Sequence, residues 1–240
     1  MLTPRAAAIH DMSGFGRCSL TVAIPVLSAM GVQCCPLPTA FLSTHTGGFT
    51  GFTFLDMTEE MPKIAAHWQE LDLRFHAIYS GFLASERQIG IVSDFIRTFR
   101  RSDTLVVIDP VMGDGGSLYS SISKDMIGEM RRLIGEADLI VPNQTEAAFL
   151  LGEDPASHAD TPEDLKRRLR ALADLGPKTV LLTSAEDRTR PGEIGVAAYE
   201  KQSGRYWRVF SPKLQGSYPG TGDIFASVML GSLLQGNSLP

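Results

Sequence analysis

Apolar and polar positions follow two rhythms along this chain. Leu105–Ile108 is an unbroken apolar run, as expected of a strand buried on both faces. Ala6–His10, Ala77–Ser80, Leu139–Val141 and Thr179–Thr183 read as further short strands, and Val32–Pro38 as an irregular one because of its prolines. Between them the period lengthens. Ser85–Arg101 places Ile89, Val92, Phe95, Ile96 and Phe99 on one helical face. Helices are also predicted over Cys18–Met30, closed by Gly31, over Thr58–Glu70 with Thr58 as N-cap, over Ser123–Ile134 and over Thr145–Leu151. Pro162–Leu175 carries Thr161 as N-cap and Pro162 at its first position. Ile194–Tyr199 and Tyr206–Phe210 surround Ser203-Gly204, a hairpin pattern, and a last helix starts near Thr221.

This β-α alternation predicts an α/β three-layer sandwich, a mostly parallel sheet with helices on both faces. No internal repeat or linker breaks residues 1–240, so a single domain is expected. Ligands of such sheets sit beyond the carboxyl ends of the strands. Five polar, glycine-rich segments occupy those places: Asp11–Gly16, Ser43–Gly51, Asp109–Ser117, Asn143–Glu146 and Gly216–Asp223.

The segment Gly220-Thr221-Gly222-Asp223 opens an apolar helix. Asp223 could be a helix cap, favoured by the dipole. A capping box would need Glu or Gln three residues later, and Ala226 stands there. The glycines suit close approach of an anion to backbone amides, and an adjacent carboxylate could take a hydroxyl proton, a pairing fit for phosphoryl transfer. Asp109 and Asp114, among glycines after the strongest strand, suit a metal–phosphate environment or a solvated turn. Asn143 and Glu146 have capping spacing, the favoured reading on residue types, and could equally hold a magnesium shell.

Composition narrows the classes. A net charge of −5 argues against broad nucleic-acid binding. Cys18, Cys34 and Cys35 make a poor disulfide framework, which points to a reducing, cytoplasmic setting. Neither a signal peptide nor an apolar stretch of membrane-spanning length is found. Ser13-Gly14-Phe15-Gly16-Arg17-Cys18-Ser19 approaches a dinucleotide fingerprint, but Ser19 stands at the third glycine and no acid ends the second strand. A Walker phosphate loop is absent. The five histidines, His10, His45, His67, His76 and His158, form no zinc spacing. Cys34-Cys35, Met126, Met130 and Met229 read as packing, and Lys166-Arg167-Arg168 as a solvated helix face.

Taken together, Leu42-Ser43-Thr44-His45-Thr46-Gly47, Tyr79-Ser80-Gly81-Phe82, Asp109-Pro110-Val111-Met112-Gly113-Asp114, Val141-Pro142-Asn143-Gln144-Thr145-Glu146 and Gly220–Asp223 resemble the ribokinase superfamily and, within it, the pyridoxal (vitamin B6) kinases. Order and spacing agree from about residue 6 to residue 235. The resemblance implies transfer of the γ-phosphoryl of ATP to the 5′-hydroxymethyl of pyridoxal, pyridoxine or pyridoxamine. It implies Asp223 as general base and the amides of Gly220, Thr221, Gly222 and Asp223 as an anion hole. Asn143 and Glu146 would organise Mg2+ through water, with Asp109 and Asp114 approaching metal and triphosphate and Thr183 a nucleotide contact. Asp11, Thr46 and Phe82 would bind the vitamin, Asp11 standing beside the pyridine nitrogen where some relatives carry Ser. The loops Ser43–Gly51 and Gly113–Tyr119 would act as lids. A monovalent cation such as K+ and a homodimer belong to the same expectation. Relatives usually continue with further helical structure beyond the position of Pro240, so a C-terminally shortened domain with an incomplete adenine site is expected. Alternatives are a hydroxymethylpyrimidine kinase, a sugar kinase and a non-catalytic nucleotide- or vitamin-binding protein; a dinucleotide oxidoreductase is disfavoured.

Overall fold

The computed structural model describes residues 3–216 and 218–239. Ser217, within the glycine-rich 216–223 stretch, lies outside the described residues. In chain order the elements are β1 (Arg5–Phe15), α1 (Leu20–Ala29), β2 (Gln33–Thr44), β3 (Phe54–Asp56), α2 (Met61–Glu70), β4 (Ala77–Ser80), α3 (Glu86–Phe99), β5 (Leu105–Ile108), β6 (Gly113–Asp114) and β7 (Ser117–Leu118). Then follow α4 (Met126–Ile134), β8 (Leu139–Ile140), α5 (Gln144–Leu151), α6 (Pro162–Asp174), β9 (Thr179–Ala185), β10 (Glu193–Glu200), β11 (Arg205–Pro212) and α7 (Thr221–Leu234). They fall into two compact units, Met1–Val107 with Ser217–Pro240, and Ile108–Gly216.

In the first unit β1 pairs in parallel with β2 and β4, β3 lies antiparallel beside β2, and the Leu105 amide at the start of β5 donates to the His76 carbonyl (2.9 Å). Ala6–Ile9 and Ala77–Tyr79 are fully buried. The strands outrun their apolar cores. Ser13 pairs with Leu42 and Phe15 with Thr44, so most of Asp11–Gly16 and the start of Ser43–Gly51, expected as loops, are strand. Polar side chains do not bar a strand whose backbone groups find a neighbour. The register shifts between His10 and Met12, an irregularity that re-aims the side chains around Asp11. His10 is wholly buried edge-on to Tyr79 (4.2 Å), and neither ring nitrogen has a hydrogen-bond partner. Burial lowers its pKa to about 3, so the ring is neutral.

Helix α3 buries Ile89, Val92, Phe95, Ile96 and Phe99 as its periodicity predicts, each such side chain stabilising by roughly 1.5–3 kcal/mol. Phe75, Phe95, Phe99 and Trp68 form an aromatic cluster, with Phe75 and Phe99 5.3 Å apart. Ser85 caps α3 by accepting from the Gln88 amide. Thr58 does not cap α2, which begins at Met61. Its amide and hydroxyl both donate to Asp56, and the Gln88 amide group donates to its oxygen.

In the second unit β8 and β9 are parallel, while β9–β10 and β10–β11 are antiparallel, the last pair being the predicted hairpin. The Val141 amide, just past β8, donates to the carbonyl of Ile108 (3.1 Å). Thr161 caps α6 as predicted. The basic run on α6 splits. Arg168 is buried, not solvated, and its guanidinium donates to Gln144 (2.7 Å), Glu153 (2.6 Å) and Ser157 (3.0 Å). Among the described residues no helix is long and apolar enough to cross a membrane.

Candidate active site

The first unit gathers a pair of acids around the start of α7. Gly220 is the N-cap, in the left-handed region at φ 82°, and a β-carbon there would overlap the Arg17 carbonyl oxygen. Glycine is therefore required both by dihedral angle and by the close approach of residues 17 and 18. No side chain caps this helix. Thr221 turns its hydroxyl back to the Tyr218 carbonyl (3.1 Å), and the space beside Gly222 is open. An uncapped helix N-terminus with an open flank suits an anion.

Asp223 is not the cap. It stands three residues into the helix, half-buried, and one oxygen accepts from the Ser19 amide (2.9 Å). Burial raises its pKa to about 6, opposed by the Ser19 amide and reinforced by the charge of Asp11. Such a carboxylate is mostly ionised at neutral pH yet more basic than an exposed one, as suits a general base. Asp11 is buried. Its carboxylate accepts from the Ser13 hydroxyl (2.9 Å). Burial pushes its pKa up; Ser19, Ser13 and His45 pull it down. The Cys18 thiol lies near both acids and is pushed up to about 11 by burial and their charge, so it stays neutral. His45 accepts the Gly47 amide at Nδ1 (3.1 Å) and meets Phe49 edge-on (4.9 Å). Thr46 is half-buried in the bend beyond His45. Phe82 is buried just past β4, with its carbonyl accepting from the Thr39 hydroxyl (3.0 Å).

The second unit gathers the remaining candidates at the start of α5. Asn143 and Glu146 form a reciprocal capping box: the Asn143 side chain accepts from the Glu146 amide, and Glu146 Oε2 accepts from the Asn143 amide (both 2.9 Å). Glu146 Oε1 also accepts the Met112 amide (3.1 Å), and the Asn143 amide group donates to the Gly113 carbonyl (2.8 Å). Burial raises the Glu146 pKa to about 8 against these backbone donors, and Asp114 raises it further.

The segment read as a flexible Asp/Gly loop is the small hairpin β6–β7. Gly115 (φ 57°) and Gly116 (φ 80°) supply the positive dihedrals that a two-residue turn requires. The Gly116 amide donates to Thr145 (2.9 Å), which ties the hairpin to α5. Asp109 is buried at the end of β5, and Asp114, exposed, accepts from the Gly115 amide. Thr183 donates its amide (2.9 Å) and its hydroxyl (3.3 Å) to the Pro142 carbonyl. Among the described residues no group of three or more His, Cys, Asp or Glu side chains is placed to hold a metal directly.

Asp11 and Asp223 thus share one cluster in the first unit, while Asn143, Glu146, Asp109, Asp114 and Thr183 lie in the second. Sequence reasoning missed Ser19, Ser13 and Met112, whose contributions are a hydroxyl or a backbone amide. The available signal for Ser19 was its place at the third glycine of the pattern begun by Gly14 and Gly16.

Known proteins resemble this chain over most of its length. The phosphomethylpyrimidine kinase family model matches residues 22–240. A solved structure from Bacteroides thetaiotaomicron VPI-5482, named as a phosphomethylpyrimidine kinase and crystallised with pyridoxal, is 54% identical. It superposes with a TM-score of 0.95 over 100% of this chain and 83% of that one. The crystal structure of pyridoxal kinase from Lactobacillus plantarum is 34% identical, with a TM-score of 0.88 over 98% of this chain and 82% of that one. The pyridoxal kinase PdxY of Leifsonia xyli subsp. xyli is 29% identical over 228 residues, 92% of this chain and 78% of the relative. The fold is the ribokinase-like one expected from the sequence.

Proposed function

This chain belongs to the phosphomethylpyrimidine kinase family, and on that premise we propose that it is an ATP-dependent pyridoxal kinase. It phosphorylates the 5′-hydroxymethyl group of pyridoxal, pyridoxamine or pyridoxine. The observation that carries the chemistry is the state of Asp223: a desolvated carboxylate with a pKa of about 6, free of any capping duty, beside an uncapped helix N-terminus. Asp223 takes the proton of the substrate hydroxyl as its oxygen bonds to the γ-phosphorus of ATP. The bond to the bridging oxygen breaks and ADP leaves. The amides of Gly220–Asp223 offset charge on the transferring group. Asp11 holds the pyridine nitrogen, pairing with a protonated ring, while Thr46 and Phe82 line the vitamin site.

The donors at the start of α5 are hard oxygens, as Mg2+ prefers. Glu146 already spends both oxygens on amides, and its burial penalises the charged form, which a nearby cation would offset. Asn143, Glu146 and Asp109 would therefore hold a hydrated Mg2+, which neutralises phosphate charge when bound, and Asp114 and Thr183 would contact the nucleotide. A monovalent cation such as K+, a homodimer, a cytoplasmic location and action of residues 1–240 as one kinase domain complete the reading.

The second reading, a hydroxymethylpyrimidine kinase, is favoured by the name of the family model and shares the same base and anion hole. The pyridoxal in the Bacteroides structure favours the first. The deciding experiment is a steady-state assay with ATP-Mg2+ and pyridoxal, pyridoxamine, pyridoxine or hydroxymethylpyrimidine. Preferential formation of a B6 5′-phosphate is expected; preference for the pyrimidine overturns the reading.

A further inference from the structure

Gln88 stands in the first turn of α3, three residues after its N-cap Ser85. That is the spacing of a capping box, and Ser85 plays its half by accepting from the Gln88 amide (3.3 Å). The Gln88 side chain does something else. It is wholly buried, and its oxygen accepts from the Ala84 amide (2.8 Å). Its nitrogen faces three oxygens: the Thr39 carbonyl (2.9 Å), the Thr58 hydroxyl (3.0 Å) and the Asp56 carboxylate (3.1 Å). A carbonyl on one side and an amide N–H on the other allow only one orientation of the group. Thr39 is buried too, and its hydroxyl donates to the Phe82 carbonyl (3.0 Å). These contacts join three pieces of chain. Thr39 lies on β2 and Asp56 on β3, at the first rung of their pairing, Ala40 with Asp56. Between them runs the hairpin that carries His45, Thr46 and Phe49. Phe82 and Ala84 belong to the segment between β4 and α3.

We propose that Gln88 is a positioning residue for the vitamin site: it clamps both arms of the hairpin that carries Thr46 to the segment that carries Phe82, directly at Ala84 and through Thr39 at Phe82. The inference rests on the pyridoxal kinase reading. Burial alone does not place this hairpin. Strand β3 lies at the edge of the sheet, and all three of its residues are exposed. A two-stranded extension of this kind has little apolar area to fix it. A buried amide group bonded at both ends is directional, and it fixes a position where apolar contact would let the pieces slide. Thr46 and Phe82 come from different pieces of chain, so their spacing is set by whatever joins those pieces. Gln88 bonds neither to Asp223 nor to Asp109, Asp114, Asn143 and Thr183, the residues assigned to the nucleotide. Its influence is therefore on the grip on the vitamin, not on the phosphoryl step.

The test uses Gln88→Met, which keeps the length and loses every side-chain bond, and Thr39→Val, which keeps the carbonyl and cuts only the tie to Phe82. Pyridoxal binding without ATP is followed by absorbance titration, turnover is measured with pyridoxal and ATP-Mg2+, and amide hydrogen exchange is followed along the chain. For Gln88→Met the proposal expects about tenfold weaker pyridoxal binding with a matching rise in its KM, kcat within about threefold and the KM for ATP within about twofold. Thr39→Val should weaken pyridoxal binding about threefold, the size of one lost neutral hydrogen bond. In Gln88→Met exchange should quicken over residues 39–58 and 82–84, while Ala6–Ile9 of β1 keeps its protection. A residue that merely fills the core would lower Tm and speed exchange in all these regions alike, leaving KM alone. Wild-type pyridoxal binding in Gln88→Met, or exchange quickened equally in β1, overturns the proposal. Should Gln88→Met not fold, Thr39→Val decides, and a wild-type affinity for pyridoxal overturns the clamp. If the wild type forms no pyridoxal phosphate, the kinase reading falls instead, while the exchange pattern still decides whether Gln88 holds the hairpin.

Discussion

Helices α5 and α7 begin alike on paper. Each has a carboxylate three residues beyond its N-cap, Glu146 after Asn143 and Asp223 after Gly220. Their fates are opposite. Glu146 folds back onto the amide of its own N-cap, and Asn143 answers it. Asp223 has no side chain to answer it, since its N-cap is glycine, and it reaches instead to the backbone of α1's approach. One acid finishes its own helix. The other leaves its helix end unfinished, and that open end is where an anion can be received. The role of an acid at a helix start is therefore set less by its own identity than by whether the N-cap residue can reciprocate.

The comparison breaks most sharply at Asp223. Asp223→Asn keeps the shape and the hydrogen-bonding oxygen but removes the base, and kcat should fall about 10²–10⁴-fold. Pyridoxal binding should stay within a few fold, measured by titration beside the assay. Full turnover with intact binding would make Asp223 as structural as Glu146. Gly220→Ala gives α7 a side chain at its cap and meets the Arg17 carbonyl. Left-handed strain alone is worth about 1–3 kcal/mol, so a clear drop in Tm is expected; an unchanged Tm would show that the glycine serves the ligand alone.

The smallest effect belongs to Glu146 and lies in its pH dependence. Its folded pKa, about 8, is above its ordinary 4.5, so the folded chain binds the proton more tightly. That contribution to stability is fully present below about pH 4.5 and is lost as pH rises to about 8. Glu146→Gln cannot titrate and gives up one of two amide contacts, a cost of about 0.5–1.5 kcal/mol. In urea melts without Mg2+ the variant should be the weaker protein at pH 5 and should gain on the wild type toward pH 8.5. Parallel curves would mean that Glu146 is charged throughout.

The sequence made some of this legible and hid the rest for physical reasons. The face of α3, the run of β5, the caps Thr161 and Asn143 and the start of α7 follow from local chemistry, and the structure repeats them. The far ends of β1 and β2 do not, because Ser13 and Thr44 belong to a strand only through a neighbour distant in sequence. Strand β3 has three exposed residues and so no buried face to print a pattern. Thr58 looked like a cap until Asp56 and Gln88 claimed it. At the site, Asp223 could be named from its glycines, but the choice between cap and base needed the position of Ser19.

The neutral His10, with no hydrogen bond to either ring nitrogen, gives the molecule a private gauge of its own opening. Its ring can take a proton near pH 6 only while β1 is parted from its neighbours, since in place it holds out to about pH 3. Exchange of a carbon-bound ring hydrogen for deuterium is far slower than reclosing of a strand. In heavy water, between those pH values, its rate therefore reports the fraction of time that the strand beneath Asp11 stands open, with no substitution.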